Sequence, residues 1–450
     1  MKFPAYPCTK PSGIEWIGDV PETWDVKRTK WSVLGCINGV WGDEPNGVDD
    51  VTCVRVADFD RDKFLVVDEP PTLRAIEPNQ LKTRHLRKGD LLIEKSGGGE
   101  KQLVGCVVSF THDFKAVCSN FVARLPVLPE LPPRFWCYVH AALYAGKLNY
   151  PAIKQTTGIQ NLDSGAYLDT PAPFPPPLEQ RSIAAFLDGE TARIDRLVAK
   201  KKELIERLKE KRTALISRTV TRGLNPSAPF KSSGIDWLGD IPKHWEVKPV
   251  KFVARIGNGS TPNRDNPSYW EDGDYPWLNS SVVNQETITE AEEFVTSLAL
   301  RECHLPQIKP PAVLIGITGQ GRTRGMASTL MFAATINQHI AYLKPYPSCA
   351  EVCFLRRVFD MAYLFLRSES DGGGSTKGAI TCEQIANLKI PLPSLPEQAA
   401  IAAYLDLETA KLDTLVVKVE EAVERLQEYR TALITAAVTG KIDVRKEATL

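Results

Sequence analysis

The sequence lacks the features of a membrane or secreted protein. No stretch reaches the ~18 apolar residues that a membrane-spanning helix needs. The opening residues, MKFPAYPCTKPSG, contain no apolar segment of the secretory type. Charge of one sign is not in excess either, because 55 Lys and Arg balance 55 Asp and Glu. We therefore expect a cytoplasmic protein, on which any basic surface that binds nucleic acid has to be local.

Signatures of metal binding and catalysis are also missing. The ten cysteines form no Cys-x-x-Cys pair, and the closest two, Cys349 and Cys353, have no histidine at metal spacing. The sequence contains no Gly-x4-Gly-Lys-Ser/Thr phosphate loop, no His-Glu-x-x-His and no Gly-x-Ser-x-Gly. It also lacks the Asn/Asp-Pro-Pro-aromatic motif of amino-methyltransferases. A catalytic role therefore has little support, and we expect reduced cysteines that mostly lie in the core.

What the sequence does have is a repeat. Its 450 residues, 43% hydrophobic and 24% charged, are enough for two or more folded domains. The phrase GIEWIGDVPETW (Gly13–Trp24) returns as GIDWLGDIPKHW (Gly234–Trp245), with seven of twelve positions identical. IAAFLDGETARIDRLV (Ile183–Val198) matches IAAYLDLETAKLDTLV (Ile401–Val416) at eleven of sixteen positions. Such self-similarity predicts two copies of one structural unit.

The segments between these matches have diverged. Val26–Pro177 and Val247–Pro396 share almost no identity, yet strand and turn signals occur at corresponding places in both. DLLIEKSGGG (Asp90–Gly99) and AVLIGITGQG (Ala312–Gly321) each place an apolar strand before a glycine-rich turn. We predict a mixed α/β protein with two tandem copies of one α/β domain, joined by two long antiparallel helices that form a coiled coil. The predicted boundaries are 1–177 for the first domain with its tryptophan-rich lead-in, 178–222 for the first helix, 223–395 for the second lead-in and domain, and 396–450 for the second helix and tail.

The matched segments read as helices, at about Glu179–Thr219 and Glu397–Val438, because they are rich in Ala, Leu, Glu, Lys and Arg. Apolar residues at three-four spacing indicate a coiled-coil seam, with Lys201 and Lys211 intruding in the first copy. The simplest cover for each seam is the other helix, in an antiparallel pair. A scaffold coiled coil without a DNA role is the alternative. The predicted pairing residues are Leu197, Leu204, Leu208, Leu215, Leu415, Val419, Leu426 and Leu433.

The tryptophan phrases have two interpretations. Trp16, Trp24, Trp237 and Trp245 are large apolar anchors that can pack a lead-in onto its domain. They could instead stack on bases. Packing is favoured, because the surrounding Gly-Asp and Pro residues fix a backbone path.

Candidate DNA-binding residues follow from loop chemistry. Glycine-rich turns allow close backbone approach to a partner, and Lys and Arg contact phosphates or guanine edges, while Gln pairs with adenine. A solvated basic surface remains the alternative for any single residue, and the loops gain weight because they recur at matched places. The candidates are Lys95, Lys101, Gln102, Lys154, Gln155, Gln160, Gln320, Arg322, Thr323, Arg324 and Lys377; no catalytic or metal-binding residue is predicted.

Taken together, the lead-in phrases, the hinges LEQRSIAAFLD and LPEQAAIAAYLD, and the closing RTALISRTVTRGL and RTALITAAVTGKIDV resemble the specificity subunit of type I restriction-modification systems. The resemblance covers nearly the whole chain. It implies a non-catalytic reader of double-stranded DNA in which each target-recognition domain recognises one half of a bipartite asymmetric site. It also implies that the helices set the gap and dock two modification subunits that methylate adenine, with restriction subunits joining them. S-adenosylmethionine, ATP and Mg would then lie on the partner subunits, with no cofactor in this chain.

Two other functions stay open at this point. A self-contained DNA-modifying enzyme would methylate or cleave DNA as the isolated chain. A coiled-coil interaction scaffold would bind duplex DNA no better than any neutral protein. The duplication itself favours the reader, because one chain with two different domains can recognise an asymmetric site and a symmetric dimer cannot.

Overall fold

The computed structural model describes residues 3–99, 102–156, 158–319, 321–371 and 378–447. The chain divides into two compact units. Unit 1 comprises Met1–Lys202 and Glu421–Leu450, and unit 2 comprises Glu203–Glu420. Each unit therefore combines one sheet-rich domain (its target domain) with parts of both long helices. In the described part of the chain no helix is long and apolar enough to span a membrane.

Unit 1 begins with a lead-in ribbon and continues into a sheet-rich domain. Its strands are β1 (Thr9–Pro11), β2 (Asp19–Pro21), β3 (Asp25–Arg28), β4 (Ile37–Asn38), β5 (Val51–Val54), β6 (Phe59–Asp60), β7 (Leu65–Val66), β8 (Leu73–Arg74), β9 (Leu91–Glu94), β10 (Ser96–Gly97), β11 (Val107–Ser109), β12 (Ala116–Cys118), β13 (Val122–Leu125), β14 (Ile153–Thr156), β15 (Ile159–Leu162) and β16 (Pro171–Phe174). Its helices are α1 (Pro78–Arg84), α2 (Pro133–Ala145), α3 (Ser164–Leu168) and the first part of α4 (Pro177–Arg222).

Unit 2 repeats this order. Its strands are β17 (Phe230–Ser232), β18 (Asp240–Pro242), β19 (Glu246–Pro249), β20 (Ala254–Asn258), β21 (Tyr275–Leu278), β22 (Thr287–Ile288), β23 (Glu293–Val295), β24 (Ala312–Gly316), β25 (Ala327–Leu330), β26 (Thr335–Ile336), β27 (Ile340–Pro345) and β28 (Lys389–Leu392). Its helices are α5 (Ser297–Glu302), α6 (Val352–Asp371), α7 (Cys382–Asn387) and the first part of α8 (Leu395–Val438), which also runs into unit 1.

The two units share one sheet topology. The main sheet has the order β4-β13-β9-β11-β7-β6 in unit 1 and β20-β27-β24-β25-β22 in unit 2. Pairing is antiparallel except between β11 and β7, and likewise between β25 and β22, which are parallel. A smaller sheet, β12-β5-β8 or β23-β21-β26, also has one parallel and one antiparallel pair in each unit. The predicted mixed α/β duplication is therefore confirmed at the level of strand order.

Each main sheet is buried at its centre. Every residue of β9 and of β24 is buried, which a strand covered on both faces requires. Helix α2 covers the sheet in unit 1 and α6 covers it in unit 2. Fully buried Trp136 lies in the unit 1 core, and fully buried Phe354 lies in the core of unit 2.

The lead-in tryptophans are part of these cores. Trp24 and Trp245 have no exposed surface, so the packing interpretation is confirmed and base stacking by these two rings is wrong. Each ring lies against a glycine that ends a long helix. Gly440 and Gly223 both have a φ of +72°, and a Cβ on either would lie 3.1 Å from an atom of the tryptophan ring. Glycine is required at both places, because other residues rarely adopt this backbone conformation and the space is filled.

The proline-rich hinges are fixed by their glutamines. The Gln180 amide donates a hydrogen bond to the carbonyl oxygen of Pro175 (2.8 Å), and Gln398 donates to Pro393 in the same way (2.9 Å). Both side chains are buried. Each amide satisfies a carbonyl five residues upstream, where proline leaves fewer backbone donors. The repeated Glu-Gln pair in the sequence therefore fixes the entry into each helix.

The long helices begin at Pro177 and Leu395, one residue before the predicted boundaries, and each is shared between the two units. In unit 1 the start of α4 packs with the end of α8, and in unit 2 the end of α4 packs with the start of α8. Within each unit the two helices are therefore antiparallel.

The predicted seam is wrong at three positions. Leu197, Leu204 and Leu415 are 38%, 43% and 47% exposed. The next residue along the chain turns inward in each case, and Ile205 is only 8% exposed. The less exposed positions of each helix are spaced alternately four and three residues apart, and in α4 they include a lysine and an arginine. The other five predicted residues lie at these positions: Leu208, Leu215, Val419, Leu426 and Leu433. In α4 these positions are Leu187, Thr191, Ile194, Val198, Lys201, Ile205, Leu208, Arg212, Leu215 and Thr219, and in α8 the residues 218 positions later.

Candidate nucleic-acid interface

In unit 1 the glycine-rich turn after β9 is held by the hairpin β14–β15. Strand β10 pairs with β15, so that Gly97 lies opposite Gln160. The Gln160 amide accepts a hydrogen bond from the Val104 N–H (3.2 Å) and donates to the Gly99 carbonyl (3.3 Å). Gln160 is only 4% exposed. Its side chain therefore holds the loop and is not available to pair with adenine, which corrects the prediction for this residue.

Beneath the turn lies an ion pair. The Glu94 carboxylate is 2% exposed and accepts a hydrogen bond from the Arg61 guanidinium at 2.8 Å. Burial raises the pKa of Glu94, and the charge of Arg61 opposes that rise. The predicted Gln102 lies on the same guanidinium when its amide oxygen faces Arg61. Gln102 keeps an exposed surface and pairs with Gly99 through two backbone hydrogen bonds.

The other predicted residues of unit 1 that the structure describes are Lys95, Lys154 and Gln155. The Lys95 amine donates to the Asn38 side chain (2.6 Å). Lys154 and Gln155 lie on β14 with exposed side chains, and Lys154 donates to Asp163 (2.8 Å). This hydrogen bond lowers the pKa of Asp163. Lys101 lies outside the described residues. The Lys95 carbonyl accepts a hydrogen bond from the Leu162 N–H (2.8 Å), so Lys95 adjoins the small sheet that carries the exposed side chains of β14.

The sequence did not point to a second element of this surface, the turn before β13. The Phe121 carbonyl accepts hydrogen bonds from the backbone N–H groups of Lys95 (2.8 Å) and Ser96 (3.2 Å). The Phe121 ring is 48% exposed and, with Trp41 and Arg55, lines a cleft of about 530 Å³ beside Gly97. These residues come from three separate loops. No local motif connects them, so only the tertiary fold identifies them as neighbours.

Unit 2 places the same two elements side by side. The Ile317 N–H donates to the His339 carbonyl (2.9 Å), which matches the bond between Lys95 and Phe121. His339 and Gln338 are exposed, and the Thr318 hydroxyl lies 2.7 Å from the His339 ring. Neither side chain is part of a glycine-rich turn or of another local sequence signal. The turn before β27 is therefore a second candidate contact, with different side chains from those of unit 1.

The glycine loop of unit 2 is fixed by helix α6. The Arg367 guanidinium donates to the carbonyls of Gly321 (2.7 Å) and Arg324 (3.2 Å), and the Tyr363 hydroxyl donates to that of Arg322 (2.9 Å). Arg322 is exposed and free to reach a partner, and Thr323 is half-buried. Arg324 is only 3% exposed, so the expectation that both arginines present their guanidinium groups to DNA is corrected. Gln320 and Lys377 lie outside the described residues.

In unit 1 the target domain is anchored to the long helices by polar side chains that the repeat retains. The Asp188 carboxylate accepts from Arg134 (2.6 Å) and Tyr138 (2.7 Å) of α2. Arg430 of α8 donates to Asp195 of α4 (2.9 Å) and also to the backbone carbonyl of Asp62 in the target domain. Unit 1 therefore fixes its target domain on both helices at once.

Unit 2 uses the residues 218 positions away. Asp406 accepts from Arg357 of α6 (2.7 Å), and the hydroxyl of Thr409 lies 3.2 Å from the same guanidinium. Arg212 of α4 pairs with Asp413 of α8 (3.0 Å) and with Glu286 of the target domain. Residues that are identical in the two helix segments therefore position both target domains, whereas the loops that differ are the candidate contacts.

Known proteins match this chain in sequence. Residues 242–425 match the type I restriction modification DNA specificity domain. The chain is 22% identical over 433 residues to the putative type I restriction enzyme MjaX specificity subunit of Methanocaldococcus jannaschii, covering 95% of this chain and 96% of that protein.

Two solved structures share the fold. One is a chain from work on complex assembly and conformational transition of the type I R-M system, with 20% identity, a TM-score of 0.70, and 93% of this chain and 98% of that chain covered. The other is the HsdS subunit from Thermoanaerobacter tengcongensis, with 19% identity, a TM-score of 0.56, and 94% and 98% covered. The chain is therefore similar, over nearly its whole length, to type I restriction enzyme specificity subunits.

Proposed function

We propose that this chain reads a bipartite asymmetric DNA site, with one half read by the loops of each unit. The observation that carries this proposal is the contrast between the two halves of the repeat. The two units retain one main-sheet topology and one set of helix anchors, but Phe121 is exposed in unit 1 where His339 is exposed in unit 2, and the place of Lys95 is taken by the buried Ile317. Readers of two different sequences require this combination of equal framework and unequal contacts.

The long helices supply the spacing in this proposal. Helix α4 has 46 residues and α8 has 44. At 1.5 Å per residue these lengths are about 69 Å and 66 Å, roughly two turns of duplex DNA. A continuous helix is a stiff element, so it can hold the gap between the two half-sites at a fixed number of base pairs.

Assembly completes the proposal. Two modification subunits dock on the chain and methylate adenine with S-adenosylmethionine, and restriction subunits that use ATP and Mg cleave unmodified DNA. The chain itself holds no cofactor. No group of three or more potential metal ligands occurs among the residues that the structure describes. The specificity-subunit relatives support neither a scaffold without DNA specificity nor a self-contained DNA enzyme.

A genome-wide adenine-methylation map tests the proposal. The map compares a cell that expresses this chain and its modification subunit with the same cell without this gene. We expect a two-part motif with a fixed gap that disappears with the gene. Exchanging residues 26–177 for those of a relative should then change one half of the motif and leave the other. Identical maps with and without the gene, or a change in both halves, would contradict the proposal.

A further inference from the structure

Both units carry an exposed aromatic ring at the same place. Trp31 lies in the 3-10 turn Thr29–Ser32 that follows β3, and Phe252 lies in the 3-10 turn Val250–Phe252 that follows β19. They are 221 positions apart, the same offset as the two lead-in tryptophans. Trp31 is 61% exposed and Phe252 is 60% exposed. One exposed aromatic is ordinary in a folded protein, but a matched pair in diverged domains calls for a reason.

The exposure is imposed by a fixed backbone. Thr29 is fully buried and donates its hydroxyl hydrogen to the carbonyl of Leu168 (2.9 Å). Val250 is also fully buried, and its N–H donates to the carbonyl of Leu388 (3.0 Å). The inner side of each turn is therefore held at one point of the fold. Because the first residue of each turn is held inside, the ring two residues later is held facing solvent. This fixed position preorganises the ring for a partner.

A tethered lysine accompanies each ring. The Lys30 ammonium lies 6.0 Å from the Trp31 ring centroid and 2.8 Å from an Asp169 carboxylate oxygen. The Lys251 ammonium lies 5.6 Å from the Phe252 ring centroid and donates to the Asn387 side chain (2.9 Å). Asp169 and Asn387 are themselves matched, 218 positions apart. Both units thus display the same combination of a flat apolar ring and a cation that lies over it.

The likeness of the two sites indicates their partner. The loops of the candidate nucleic-acid interface differ between the units, as two readers of different sequences must. A surface that stays alike in both units suits two copies of one partner. We propose that Trp31 with Lys30, and Phe252 with Lys251, are equivalent anchors for two copies of one protein, the modification subunit. This inference rests on the proposed function, and goes beyond it by assigning the contact to the turns after β3 and β19.

The chemistry defines what the partner presents. An aromatic ring that becomes fully desolvated in an apolar pocket is the commonest kind of dominant interface residue. The lysine beside it favours carboxylates at the rim of that pocket. Each modification subunit therefore offers an apolar pocket edged by Asp or Glu.

The test measures how many modification subunits the chain binds and how tightly. The unaltered chain, Trp31→Ala, Phe252→Ala and the double variant are each expressed and purified. Each is titrated with modification subunit, and native mass spectrometry gives the number of subunits bound at each concentration. We expect two tight sites in the unaltered chain. Each single variant should keep one tight site and weaken the other by about 10- to 100-fold, and the double variant should weaken both. Trp31→Phe and Phe252→Trp should stay within about threefold of the unaltered chain.

Two controls separate the outcomes. Tyr150→Ala in unit 1 and Phe294→Ala in unit 2 remove rings that are 65% and 41% exposed and do not match across the repeat. They should leave both sites unchanged, and equal melting temperatures of all variants exclude unfolding. Two tight sites in the double variant would overturn the anchor inference, as would loss of DNA binding with full subunit binding. The same complexes are tested for bipartite sequence preference. Its absence in the unaltered complex would overturn the proposed function instead.

Discussion

Arg357 is the residue at which the second target domain should be most sensitive to a single substitution. Its guanidinium is 1% exposed. It contacts Asp406 at 2.7 Å, and Glu286 and Asp360 at 3.3 Å each. Asp406 belongs to α8, whereas Asp360 belongs to α6. One buried cation therefore joins the helix that covers the sheet to the long helix that carries the domain.

Replacing Arg357 by Met keeps most of the volume and removes the charge. Asp406 and Glu286 are 56% and 50% exposed, so water can replace their lost partner at small cost. The Asp360 carboxyl is 18% exposed and keeps its ion pair with Arg356, at 3.3 Å. Breaking a buried pair costs about 3–5 kcal/mol and an exposed pair below about 1 kcal/mol. We therefore expect about 2–4 kcal/mol lower stability for unit 2.

The loss should depend on pH. Burial already raises the pKa of Asp360, while Arg356 and Arg357 lower it. Without Arg357 the pKa rises further. A carboxyl whose pKa is raised on folding favours the folded state when protonated, and opposes it as pH rises through that pKa. The destabilisation by Arg357→Met should thus be larger at pH 8 than at pH 5.5, and Asp360→Asn in the same chain should restore part of the stability at pH 8.

Urea unfolding at the two pH values measures this effect, with hydrogen exchange of α6 reporting on unit 2 alone. Arg134→Met is the matched variant in unit 1. Its guanidinium is 24% exposed, so its loss should cost about 1–2 kcal/mol. In the methylation map, Arg357→Met should weaken recognition of only the half-site that unit 2 reads. A loss below about 1 kcal/mol that does not vary with pH would refute the reasoning.

Three further predictions follow from single features of the fold. Arg322→Ala should weaken recognition of one half-site by about tenfold and spare the other, because Arg322 is the exposed arginine of its loop. Binding to oligonucleotides altered in each half in turn measures this effect. Arg301→Ala, which removes another exposed arginine, is the control. Lengthening both long helices by one turn should widen the methylated gap by roughly one to two base pairs, since a turn is ~5.4 Å and a base pair ~3.4 Å; an unchanged gap would exclude the helices as the spacer. Burial lowers the pKa of His140 to about 4. The stability of unit 1 should therefore fall by up to about 3 kcal/mol as pH drops from 6.5 to 4, because protons bind the unfolded chain first, and His140→Gln should show a shallower fall in acid urea titrations.

For the long helices, the sequence predicted the bounds well but not every inward-facing residue. Composition and repeat matching predicted both long helices to within a few residues, because strong helix formers run without a break through each segment. The seam was misplaced at Leu197, Leu204 and Leu415. Each has an apolar neighbour at the following position, and leucine content cannot tell which of two adjacent apolar residues turns inward. The true alternation also passes through Lys201 and Arg212, whose stems can pack while their charged ends reach the surface.

The candidate interface was only partly accessible to sequence reasoning. The glycine-rich turns were found because glycine clusters after apolar strands are local signals. Gln160 and Arg324 were placed among the contacts, yet both side chains are buried, since burial depends on strands and helices far away in the chain. Phe121, Trp41 and His339 were missed for the same reason.

The sequence by itself determined that this protein is a duplication, that its two halves share a fold, and that it resembles DNA specificity subunits. Those properties follow from contiguous sequence segments, because helix propensity, turn formation and the path of the lead-in depend on residues close together in the chain. The tertiary structure decided which identical residues anchor a domain and which differing residues face outward. Asp188 and Arg134 lie 54 positions apart and Arg430 and Asp195 lie 235 apart. Only the folded chain brings such groups together, because their contact depends on how a whole sheet packs against two helices.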